Sequence, residues 1–66
     1  MQIELNGEPR EIHAETNLND LVTVLSLPRE RVAIELNKKV IRRRDWPTTM
    51  LTEGDQIEIV HFVGGG

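Results

Sequence analysis

LTEGDQIEIVHFVGGG, residues 51–66, decides the reading of this chain. Glu53-Gly54-Asp55 marks a turn. Gln56 to Phe62 then alternates as a strand does, with Ile57 and Ile59 on one face and Val60 and Phe62 on the other. Without any polar linker the strand runs through Val63 into Gly64-Gly65-Gly66. Glycine has no Cβ, so such an end is thin and takes backbone angles closed to other residues. Three extended residues reach at most about 11 Å, enough for a slim, flexible tail over 64–66 to enter a partner's active site while the folded body stays outside. A competing reading makes a glycine-rich end a frayed terminus or linker remnant. The apolar strand that leads directly into the glycines weighs against it.

Working outward, Met1 to Leu5 alternates with the period of a half-buried strand, and Asn6-Gly7 is a strong hairpin signal. Arg10 to His13 reads as a short return strand with Ile12 facing in. Asn17 is placed to cap a helix, with Asp20 in the first turn favoured by the helix dipole. Leu18, Leu21, Val22 and Leu25 make one apolar face, and Pro28 cannot continue the helix, so it runs over about 18–26. Val32, Ile34 and Leu36 form a third strand, Asn37-Lys38 a turn, and Lys39 to Arg42 a short fourth strand. Arg43 to Thr49 reads as irregular, broken at Trp46-Pro47. The order β-β-α-β-β-β argues for a single α+β domain over 1–66, a mixed sheet of about five strands with one main helix on one face. The helical crossover between the second and third strands is expected to be right-handed if these are parallel neighbours.

Composition excludes several function classes. A 66-residue chain buries only about 60% of the surface its unfolded form exposes, which leaves little room for a deep catalytic pocket. Without cysteine there is neither a disulfide framework nor a Cys-based zinc site, and a reducing, cytoplasmic setting is expected. No apolar run reaches the length of a signal peptide or membrane span. A net charge of −3, one Trp and one Phe disfavour general nucleic-acid binding. His13 and His61 are isolated in sequence, and no spacing suggests a metal site.

The remaining chemistry lies at the Gly66 carboxylate, a poor acyl donor as it stands. Adenylation by ATP turns a carboxylate into a mixed anhydride open to a sulfur nucleophile. The chain carries no phosphate-binding loop of the Gly-Lys-Ser/Thr type, so that step requires an ATP-using partner. The chain itself is expected to bind no cofactor and to be a carrier, not an enzyme.

The run VAIELNKKVIRRRDWPTTMLTEGDQIEIVHFVGGG, residues 32–66, resembles the ThiS family of sulfur-carrier proteins. The similar pieces are A-x-E-x-N at Ala33 to Asn37, R-x-x-W at Arg43 to Trp46, L-x-x-G-D-x-I at Leu51 to Ile57, and the terminal Gly65-Gly66. Gly64 is a departure, a third glycine where two suffice. The resemblance covers essentially the whole chain. It implies a ubiquitin-like β-grasp fold and an adenylating enzyme that activates Gly66 with ATP and Mg²⁺. It also implies sulfur from a cysteine desulfurase, and a C-terminal thiocarboxylate that serves thiazole synthase in thiamine biosynthesis. The alternatives are a carrier for molybdopterin synthesis or tRNA thiolation, a ubiquitin-like modifier attached to lysines, and a regulatory domain with an inert tail.

Two further features concern partners. Val60 and Phe62 lie beside the tail, and an exposed Phe62 would anchor an interaction; a bulge or the sheet's twist would bury it instead. Arg42-Arg43-Arg44 either meets an acidic partner or is a solvated edge. Trp46 is expected to close its loop over the core with its N–H bonded near the surface.

Overall fold

Asn6 and Gly7 turn the chain in two residues, at φ +50° and +84°. A type I′ hairpin requires positive φ at both positions, which Asn and Gly tolerate best. The computed structural model describes residues 1–62. Its first strand, β1 (Gln2–Leu5), folds antiparallel onto β2 (Glu8–Glu11), with Leu5 opposite Glu8. The return strand therefore starts earlier than Arg10, because a two-residue turn resumes pairing at once. Pro9 is no obstacle: β2 is an edge strand, and the residue after the closing pair points its nitrogen away from β1. Ile12 continues the pairing, its N–H donating to the Met1 carbonyl at 2.8 Å, and is half-buried against the core.

The helix α1 spans Leu18–Val24. Asn17 caps it as expected, its Oδ1 accepting from the Asp20 N–H at 2.7 Å. Leu18, Leu21 and Val22 are buried and Leu25 is half-buried. The helix ends in a Schellman pattern: Ser26 N–H donates to the Thr23 carbonyl and Leu27 N–H to the Val22 carbonyl. Ser26 takes the left-handed position, φ +57°, usually given to glycine. Seven residues are too few for a helix to stand alone in water, so caps and packing hold it.

A 3₁₀ turn, Arg29–Arg31, leads into β3 (Val32–Leu36). The turn Asn37-Lys38 returns the chain as β4 (Lys39–Ile41), and β5 covers Gln56–His61. Sheet order is β2-β1-β5-β3-β4. β5 pairs antiparallel with β3, from Val32 opposite His61 to Leu36 opposite Ile57, and parallel with β1. The sheet is thus mixed and five-stranded, with α1 on one face. The strands that α1 connects, β2 and β3, are not neighbours, since β1 and β5 lie between them. The condition for the expected crossover is not met.

The segment read as irregular is ordered. Arg43–Thr48 forms a 3₁₀ helix that packs on α1 and buries Trp46. The indole N–H donates to the Ile41 carbonyl at 3.0 Å, as its amphipathic ring predicts. Beyond it, Leu51 N–H donates to the Thr16 carbonyl and Leu18 N–H to the Thr49 carbonyl, tying this segment to the start of α1. The core comprises Ile3, Leu18, Leu21, Val22, Val32, Ile34, Trp46, Leu51 and Ile57. Among the described residues, no helix is long and apolar enough to cross a membrane.

Candidate functional site

Gly64, Gly65 and Gly66, the expected working end, lie outside the described residues. What the structure describes is the strand that leads to them. β5 is a central strand, paired on both sides. Its start is fixed by the Gly54-Asp55 turn: Gly54 is at φ +85°, and the Asp55 carboxylate accepts from the Thr52 N–H at 2.8 Å. Its far end is held to the 3₁₀ turn by the Phe62 N–H, which donates to the Arg31 carbonyl at 2.7 Å.

Two asparagine side chains extend the pairing where backbone cannot. β1 turns away at Leu5, and the Asn6 amide takes its place: Ile59 N–H donates to Asn6 Oδ1 at 2.8 Å, and Asn6 Nδ2 donates to the Ile59 carbonyl at 3.4 Å. On the other side, Gln56 N–H donates to Asn37 Oδ1 at 2.9 Å, and Asn37 Nδ2 donates to Asp55 at 3.1 Å. Each turn asparagine therefore also clamps the strand that precedes the glycines. Asn37 closes the A-x-E-x-N run, so this part of the resemblance has a physical basis. Sequence reading took Asn6 only as a turn residue, because its pairing depends on β5 lying beside β1.

The alternation along β5 is as read. Ile57 is buried and Ile59 half-buried on the helix side, while Val60 and Phe62 are 55% and 56% exposed on the open face. The register with β3 runs without a bulge, so nothing turns Phe62 inward. Ala33 lies opposite Val60, and Val40 is exposed on the same face. Farther from the exit, Glu35 lies directly opposite Glu58. The open face is thus apolar where the tail leaves and acidic behind it. His13 and His61 are exposed, and among the described residues no three His, Asp or Glu side chains converge as metal ligands.

A mixed five-stranded sheet of order β2-β1-β5-β3-β4 with a single α-helix across one face defines the ubiquitin-like β-grasp class. The ThiS family model matches residues 3–66, and this chain belongs to the ThiS family. It is 37% identical over 65 residues to the sulfur carrier protein ThiS of Bacillus subtilis, covering 97% of this chain and 98% of that one. It is 48% identical over all 66 residues to a thiazole synthase of Magnetococcus marinus, of whose length it spans 20%. Among solved structures, the ThiS thiamine biosynthesis protein of Geobacter metallireducens superposes with a TM-score of 0.86 at 32% identity, covering 100% of both chains.

Proposed function

We propose that this chain is a sulfur carrier for thiamine biosynthesis, with the Gly66 carboxylate as its working group. A partner enzyme adenylates that carboxylate with ATP and Mg²⁺, releasing pyrophosphate. A sulfur nucleophile, its sulfur drawn from cysteine by a desulfurase, attacks the acyl carbon and AMP leaves. With a persulfide as that nucleophile the product is an acyl disulfide. A second thiol then attacks the donor's sulfur and is oxidised to a disulfide with the donor, and the thiocarboxylate leaves in place of the original carboxylate. Thiazole synthase then takes the sulfur. Support for that last partner comes from the Magnetococcus marinus thiazole synthase, which contains a region this similar to the chain.

The observation that carries the reading is the mounting of the tail. β5 is paired on both flanks and held as far as the Phe62 N–H. Only four residues, 63–66, separate that anchor from the carboxylate, a reach of at most about 14 Å when extended. A fixed body and a short glycine end present an acyl group to an active site that the body cannot enter. Gly65 and Gly66 need no side chain in such a channel, and Val60 and Phe62 offer apolar contact at its mouth.

Intact mass after incubation with the adenylating enzyme, ATP and a sulfur donor tests the reading. The chain gains about 16 Da as sulfur replaces oxygen in the acyl group. A chain lacking Gly66 keeps its melting temperature and gains nothing. No gain in the full chain overturns the reading. Isopeptide-linked conjugates in cells would move it to a protein modifier.

A further inference from the structure

Charge along this chain is segregated. Residues 29–45 hold seven of the eight Lys and Arg against three of the eleven Asp and Glu, a net +4 that leaves −7 on the rest. Folding concentrates the arginines further. β5 ends where β3 begins and where β4 ends, because His61 lies opposite Val32 and Ile41 opposite Ile34. The 3₁₀ turn carrying Arg29 and Arg31 and the segment carrying Arg42, Arg43 and Arg44 therefore meet at one end of the sheet. Arg43 Nη1 donates to the Arg29 carbonyl at 3.2 Å, and the Arg31 carbonyl holds Phe62. The described end of β5 therefore lies beside two segments that carry five arginines between them.

Among the described residues, none of the five pairs with a carboxylate. Gathering like charges on one small surface is unfavourable, and solubility would be served as well by scattering them. The residue types also divide by place: five of the six arginines lie at the exit, Arg10 being on β2, and both lysines lie at the distant Asn37-Lys38 hairpin and its neighbour Lys39. A guanidinium binds a carboxylate in two-pronged fashion, and lysine does not. The exposed Val60 and Phe62 adjoin the cluster, giving an apolar centre with a charged rim, as protein–protein interfaces have. A nucleic acid fits less well, since the rest of the chain is strongly negative and Glu35 and Glu58 lie on the adjoining face.

We propose that Arg29, Arg31, Arg42, Arg43 and Arg44 form a cationic docking rim around the exit of β5, which engages an acidic surface beside the active-site cleft of the adenylating enzyme. This rests on the carrier reading above. The rim steers encounter and orients the body so that the tail faces the cleft.

Stopped-flow association of the full chain with the adenylating enzyme, from about 50 to about 300 mM salt, tests the proposal. Arg42→Gln/Arg44→Gln removes two exposed charges that make no internal hydrogen bond among the described residues. At low salt this variant associates about tenfold more slowly and loses most of the salt dependence. Arg42→Lys/Arg44→Lys retains most of the rate, and Glu8→Gln/Glu11→Gln on the opposite edge changes it by less than about twofold. An unchanged rate and salt slope in the Gln variant, with normal thiocarboxylate formation, overturns the rim and leaves the carrier reading intact. A wild-type chain that the enzyme neither binds nor activates overturns both. Arginine-dependent capture of a single-stranded oligonucleotide, with enzyme association unaffected, overturns the rim in favour of nucleic acid.

Discussion

Lys38 sits at φ +71°, beside Asn37 at +51°. Together they close the two-residue turn between Leu36 and Lys39. Left-handed backbone brings Cβ against the carbonyl oxygen and costs roughly 1–2 kcal/mol for an ordinary residue, less for asparagine. Lys38→Gly removes that strain but gives back some unfolded-state entropy. The expected gain is about 0.5–1 kcal/mol, read from urea unfolding followed by the fluorescence of buried Trp46. Asn6 is the converse case, because its side chain is used. Asn6→Gly keeps the turn geometry but loses both bonds to Ile59, at a cost of about 1 kcal/mol. Asn6→Ala loses the same bonds and adds left-handed strain, so it costs more. Equal losses for the two variants would mean that the turn geometry contributes nothing. The Asn-Gly pair was legible as a turn from sequence alone. The clamp was not, because it depends on which strand becomes the neighbour of β1.

Strands and helix were legible in kind, since apolar residues at period two or at helical spacing point to one side only when the chain adopts that element. Boundaries followed less well. The return strand begins at Glu8, two residues before the Arg10 start that the sequence suggests; Pro9 is harmless there because β2 is an edge strand. At Arg43–Thr48 the closure of the loop by Trp46 is legible, and the structure buries the indole and bonds it to the Ile41 carbonyl; the 3₁₀ order of the segment is not legible, because Trp46-Pro47 breaks any local periodicity. Within the sheet, one pairing works against stability. Glu35 and Glu58 face each other across β3 and β5, and like charges directly opposite are destabilising. Glu58→Lys turns repulsion into attraction, and the expected gain is about 0.5–1 kcal/mol at low salt. Thermal unfolding at two ionic strengths checks it: the gain shrinks as salt rises. A gain that ignores salt would instead point to strand propensity or packing.

The whole molecule divides its tasks between the two faces of one sheet. On the helix side, Ile3, Ile34 and Ile57 join Trp46 and α1 in a core that must supply most of the stability. A chain of this length has a total of about 3–10 kcal/mol. On the open side, the apolar residues at the exit contribute little to folding. The candidate site was legible only as a strand that runs into glycines; its mounting was not, because the central place of β5 follows from long-range pairing. Two substitutions on that single strand separate the faces. Ile57→Ala removes buried volume and costs about 2–5 kcal/mol, a large part of the total, so activation is lost with the fold. Phe62→Ala removes an exposed ring and shifts stability by no more than about 0.5 kcal/mol, yet under the proposed carrier function it weakens binding to an adenylating enzyme about tenfold or more. Circular dichroism with a titration of binding distinguishes the two. A Phe62→Ala chain that melts and binds as wild type would place recognition away from the apolar patch. A chain that melts early would place Phe62 in the core's service, against its exposure.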